Sequence, residues 1–221
     1  MHARQLLQLF QLFDSQFPVG AFAHSGGLET YGQSGAGFPQ LRQLLAVQIS
    51  NGWGRGELAA ASLAWSAAGH VEAARELGRL AAVVSAYKVI PSIHDTSVRL
   101  GRRTVALIER LHPDLCRGVA IDPPHHAVVI GAVGQRLDLP RRELLVALGH
   151  SLIAASVAAA TRCMPVSPAQ GQELIVELRP ALEAAVARAL DASEDDLFTC
   201  TPALDIRCHQ QSGLTTRLFQ S

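Results

Sequence analysis

Four groups of side chains have the types that chemistry needs. The first is histidine and cysteine. His125 and His126 stand side by side with Asp122 nearby, and Cys208 precedes His209. Imidazole, thiolate and carboxylate together bind zinc or nickel, but a site takes three or four converging ligands, usually at i, i+4 or from two loops. Neither cluster has that spacing. Helix-end histidines and a buried thiol are the plain reading. A small all-α metal-binding chaperone using His125, His126 and Cys208 stays open as the alternative function. The second group is nucleophiles. Ser25 follows His24, but neighbours on a helix point about 100° apart, so they make no dyad. No G-x-S-x-G elbow exists. Cys163 and Cys208 carry only the reactivity that their surroundings give them.

The third group is glycine. Ser25-Gly26-Gly27 and the trio Gly32, Gly35 and Gly37 resemble phosphate loops only in composition. A P-loop continues into Gly-Lys-Ser/Thr, and a dinucleotide loop follows a strand; both are missing. The chain is therefore expected to bind neither GTP nor ATP. The fourth group is arginine. Arg99, Arg102, Arg103 and Arg110 fall within one helical segment, with Arg99 and Arg103 at i and i+4. That face is either solvated or a contact for an acidic partner.

The elements that must position these residues are helical. Leu6, Leu9, Phe10 and Phe13 repeat at helical spacing and stop near Pro18-Val19-Gly20. Leu41, Leu44, Leu45 and Ile49 predict a helix entered through Pro39. Separate helices are predicted over 58–68, 71–87, 96–111 and 127–137, and a long one from Pro140 to about Arg162. Ser167-Pro168-Ala169-Gln170 reads as a capping box, opening a helix that Pro180 must kink or split. The segment around Gly118 and Asp122-Pro123-Pro124 is the best internal hinge, without a domain boundary. From Asp191 the periodicity fails, past the acidic run Glu194-Asp195-Asp196. The expected fold is all-α: one helical-bundle-like domain of about eight to ten helices over 1–192, with a loosely packed, partner-binding C-terminal tail over 193–221.

Composition narrows the class further. The chain has 221 residues and is 48% hydrophobic, which excludes a disordered polymer. A chain this long buries about 70% of its surface, enough for one full core. Lys+Arg and Asp+Glu number 19 each, so the net charge is zero. That argues against nucleic acid, which selects basic faces, and favours association with proteins. Ala and Leu, both helix formers, are abundant, and aromatics are 5%. The four cysteines, Cys116, Cys163, Cys200 and Cys208, lack C-x-x-C spacing and read as reduced thiols of a cytoplasmic protein. The N-terminus lacks the pattern of a signal peptide. Residues 144–160 run without a charge but hold Gly149, His150, Ser151 and Ser156, so they read as a core helix and not a membrane span.

Several segments together resemble the urease accessory protein UreF family. The opening segment, QLFQLFDSQFPVGAFAHSGGLET, carries Pro18, Val19, Gly20, Phe22, Ser25, Gly27, Leu28 and Glu29 at the family's positions. His126 and Gly131 match a second element, and Arg162, Pro165, Gly171 and Gln172 a third. Ser97 and Gly101-Arg102 sit where the family has a polar helix start and a glycine. Pro202, Asp205-Ile206 and Arg217-Leu218-Phe219 with Ser221 match the terminal pattern. Departures fall at Ser92-Ile93-His94, Val166-Ser167-Pro168 and Gln211-Ser212. The resemblance implies a protein that is not an enzyme and works as a homodimer. It implies binding to UreD (also called UreH), recruitment of the GTPase UreG, and docking on apo-urease. Nickel and GTP are then handled by partner proteins, with no cofactor held by the chain itself. The partner-binding residues it implies are His24, Ser25, Glu29, Arg162, Gln172, Arg217 and Phe219. Phe219 is expected to fill a pocket on UreD while Arg217 pairs with an acidic group. Arg162 is expected either to contact UreG or to stabilise the C-terminus of its own helix.

Overall fold

The computed structural model describes residues 1–20, 24–115, 121–211, 213–214 and 218–219. Among them there are helices and no strand. In chain order the helices are α1 (Ala3–Leu12), α2 (Leu28–Gln33), α3 (Phe38–Val47), α4 (Ala59–Ala67), α5 (Ala73–Tyr87) and α6 (Pro91–Leu111). There follow α7 (His126–Arg136), α8 (Arg141–Cys163), α9 (Pro168–Glu177), α10 (Arg179–Leu190) and α11 (Pro202–Gln211).

The expected break between α3 and α4 does not occur. Two π-helical turns, Gln48–Gly52 and Gly54–Leu58, join them, and Trp53 between the turns is itself helical at φ −62°, ψ −37°. Counting α3 and α4 as one helix gives ten among the described residues. Each wide turn adds a residue and so breaks the i, i+3, i+4 pattern on which the sequence reading depends. Glycine makes the path possible: a Cβ on Gly54 would collide with the Ile49 carbonyl.

At the centre lies α7, in which Ala127 to Gly134 are all buried. It packs against α4 through small residues, with a Cβ on Gly131 colliding with the Ala61 carbonyl. On its other side is α6, where Gly101 lies directly against the Pro124 carbonyl. The Ala and Gly content thus lets helix backbones approach closely, and the density of the core depends on it. Helix α8 is the one described helix long and apolar enough to cross a membrane. It packs on α2, α9 and α10 and buries Leu144, Leu145, Leu148, Ile153 and Val157. The capping box forms: Gln170 N–H donates to Ser167 Oγ at 3.2 Å and Ser167 N–H to Gln170 Oε1 at 2.9 Å. Pro180 splits the following segment, so that α9 ends and α10 begins around Leu178.

The C-terminal segment, expected as a loose tail, makes several contacts among the described residues. Cys200 N–H donates to the Asn51 carbonyl at 2.9 Å, in the first π turn. Helix α11 then lies on α2 and α6, burying Leu204, Cys208 and Gln211, and Phe219 is buried beyond it. Leu204, Cys208 and Gln211 follow i, i+4, i+7 spacing, but a thiol and an amide do not register as an apolar stripe. Gly27 supplies the seat: at φ +87° it has no side chain, and a Cβ there would lie 2.9 Å from Cys208 Sγ.

Candidate partner interface and its buried polar core

The C-terminal segment is fastened to the loop before α2 by a buried hydrogen-bond hub. Gln211 Nε2 donates to Ser25 Oγ at 2.7 Å and to Glu29 Oε2 at 3.4 Å. Gly27 N–H donates to Gln211 Oε1 at 3.0 Å, and Leu218 N–H donates to Glu29 Oε1 at 2.6 Å. Thr30 Oγ1 donates to the Arg207 carbonyl at 3.1 Å. Ser25, Glu29 and Gln211 are all buried. The structure thus brings Ser25 and Glu29 together inside the chain. Gln211, which departs from the family pattern, is the residue that joins them. Its polarity gave no sign of this in the sequence; the single clue was its spacing from Leu204 and Cys208.

Phe219 is also buried, with the Arg162 guanidinium 5.8 Å from its ring centroid. Arg162 itself is exposed in the last turn of α8, and Gln172 is exposed on α9. Arg217 lies outside the described residues, as do Phe22, Cys116, Gly118, Ser212 and Ser221. Burial is the main cause that raises the Cys208 thiol to about 12 and the Cys163 thiol to about 11. The charges of Asp205 and Glu29, respectively, add to these shifts. Both thiols therefore stay protonated at neutral pH and are poor nucleophiles.

Beside this hub a cavity of about 240 Å³ opens between the joined α3 and α4, α6, α8 and α11. Its walls include Leu45, Leu152 and Leu204, and its polar lining includes Gln48, Glu57 and Lys88. Glu57 and Lys88, the sole lysine of the chain, form a buried ion pair. Burial pushes the Glu57 carboxyl up, but Lys88, by charge and hydrogen bond, and the nearby histidines hold it below its usual value. The Tyr87 hydroxyl donates to the Gly56 carbonyl at 3.2 Å, and burial followed by the Glu57 charge pushes its pKa up.

His125 is fully buried at the start of α7. Its Nε2 is 2.7 Å from Ser85 Oγ and its Nδ1 is 3.1 Å from Ser97 Oγ, with His94 edge-on at 5.1 Å. Burial, then the Lys88 charge, brings it to about 4. His126 is also brought to about 4, by burial first, with Glu57 opposing and Lys88 assisting. Both imidazoles are neutral near pH 7. Both ring nitrogens of His125 meet hydroxyls, and Cys208 is packed against Gly27. Among the described residues no three of His, Cys, Asp and Glu converge, so His125, His126 and Cys208 are not brought into one ligand set.

His24 sits half-buried before α2, in contact with Arg99 of α6. Burial, then the charges of Arg99 and Arg103, lowers it to about 4. Two arginines of the basic face, Arg99 and Arg103, therefore reach the segment before α2.

The UreF family model matches residues 39–179. The urease accessory protein UreF of Actinobacillus pleuropneumoniae serotype 3 (strain JL03) is 31% identical over 235 residues, covering 98% of this chain and 99% of its own. That of Nostoc sp. (strain PCC 7120 / SAG 25.82 / UTEX 2576) is 27% identical over 219 residues, covering 97% and 95%. That of Rhodopseudomonas palustris (strain BisA53) is 31% identical over 232 residues, covering 99% and 94%. On these matches the chain belongs to the UreF family: it is a urease accessory protein and not an enzyme.

Proposed function

We propose that this protein is a non-catalytic scaffold that joins UreD (UreH) to the GTPase UreG on apo-urease, so that nickel is inserted into the urease active site. Family membership over nearly the whole length carries this reading. The residues agree with it. The chain has no Gly-Lys-Ser/Thr phosphate loop, and the half-buried Cys163 and buried Cys208 thiols are protonated. Its surface carries what protein partners need: Leu7 and Phe10 on α1, Ile206 on α11, and Leu218 are large apolar side chains left exposed. Arg162, which is exposed, is read as a contact for UreG, the exposed Gln172 as partner-binding, and Arg217 as pairing with an acidic group of UreD. Nickel and GTP are held by the partners, with the chain itself binding no cofactor, acting in the cytoplasm as a homodimer.

Reconstitution tests this. Mixed with UreD and UreG, the chain should co-elute with both as one species, and omitting it should leave UreD and UreG apart. UreD–UreG association that is indifferent to the chain would count against a bridge. Equilibrium dialysis of the isolated chain against nickel decides the metal-chaperone alternative. Weak, substoichiometric uptake is expected; tight stoichiometric binding that His125→Gln abolishes would favour the alternative.

A further inference from the structure

Arg99 and Arg103 stand one turn apart on α6 and reach the loop before α2. Arg99 Nη2 donates to His24 Nε2 at 3.3 Å and to Thr96 Oγ1 at 3.1 Å. Its Nε is shut off from solvent and has no hydrogen-bond partner among the described residues. Arg103 Nη1 donates to the Val19 carbonyl at 3.2 Å. It approaches Gly20 so closely that a Cβ there would lie 2.6 Å from Nη1, and Gly20 has φ +85°. The turn that marks the family is thus shaped around this guanidinium.

Among the described residues neither arginine meets a counter-charge. Their partners are an imidazole, a hydroxyl and a carbonyl, all neutral. No carboxylate of the described residues forms an ion pair with either. Asp95, one turn before Arg99, is instead 3.1 Å from His94 Nδ1. Among the described arginines Arg42, Arg75 and Arg79 form ion pairs, with Glu177, Glu72 and Glu194; what sets Arg99 apart is its buried Nε without a partner. Arg103 and the adjacent Arg102 are exposed and Arg99 is half-buried, so the pair is reachable from the surface. Two like charges beside a partly desolvated ring repel one another, and an arriving anion relieves that repulsion.

We propose that Arg99 and Arg103 form a carboxylate-binding site that receives an Asp or Glu side chain from an acidic surface of a protein partner in urease maturation. A planar guanidinium matches a carboxylate with two parallel hydrogen bonds. Two arginines on one turn suit a single acidic side chain, whereas a nucleic acid needs a longer basic track than this neutral chain offers. The site deepens the scaffold reading and rests on it.

The test is co-purification of the full-length chain with UreD and with UreG, after nuclease treatment, from about 0.05 M to about 0.5 M NaCl. Wild-type capture of at least one of them should fall steeply with salt. R99Q/R103Q should lower that capture roughly tenfold or more at low salt while its melting temperature stays near wild type. R99K/R103K keeps the charge and should keep a weaker, still salt-dependent capture. Undiminished capture by folded R99Q/R103Q overturns the site while leaving the scaffold intact. So does wild-type capture that is indifferent to salt, a result that needs no variant to fold. Capture lost on nuclease treatment assigns the arginines to a polyanion and overturns the carboxylate. No wild-type capture of either partner at any salt removes both the site and the scaffold.

Discussion

At the residue scale, a few buried polar groups that satisfy one another contribute to the stability of this protein. Gln211 is the clearest case. Gln211→Ala strips a partner from Ser25, Glu29 and the Gly27 amide at once. Leaving such groups buried and unsatisfied costs about 1–3 kcal/mol. Urea unfolding should show that loss, and limited proteolysis should show faster cleavage beyond Thr199. The Glu57–Lys88 pair is a second case. Lys88→Met leaves a buried carboxylate without compensation, at a cost of about 3–5 kcal/mol. Glu57→Gln/Lys88→Met should recover part of that, because both charges leave together. The buried histidines make stability depend on pH. His125 and His126 titrate at about 4 in the folded chain, against 6.5 as the ordinary value. Between those values the unfolded chain binds more protons, so stability falls as pH drops from about 6.5 to about 4. Glu57, held below its ordinary value, adds a further loss as the pH falls through its folded pKa. A melting-temperature series should show this slope, and His125→Gln/His126→Gln should flatten it.

At the element scale, the close helix crossings are set by residues without side chains. Gly131 meets the Ala61 carbonyl where α7 crosses α4. Gly131→Val should separate these helices and cost about 1–3 kcal/mol or more by overpacking. Calorimetry of the purified variant checks it, and an unchanged melting temperature would refute the crossing. Elements with strong periodicity were legible in the sequence: the capping box at Ser167 and the split at Pro180 follow from local chemistry alone. Two features were not. The joined α3 and α4 hide behind wide turns that shift the period, although Gly52, Gly54 and Gly56 mark the place. Helix α11 buries Leu204, Cys208 and Gln211, a face that is seated on Gly27 far away in sequence. Residues that meet only after folding cannot announce each other through local spacing. The same reasoning covers the candidate site. The basic spacing of Arg99 and Arg103 was visible, but that neither pairs with a carboxylate among the described residues is a property of the assembled fold.

At the scale of the whole molecule, zero net charge and an Ala-rich core describe a chain built for close contact, within itself and with others. The family loop from Pro18 to Glu29, α6 and the C-terminal segment come together in one region. That region combines buried hydrogen bonds with arginines that form no ion pair among the described residues. Change within it should alter assembly more than fold. The most direct measurement is the nickel content of urease purified from cells that express the urease subunits with UreD and UreG, with and without this chain. Urease made without it should be nickel-poor and inactive, and supplying the chain should restore both. Fully nickel-loaded, active urease in its absence would contradict the assigned role.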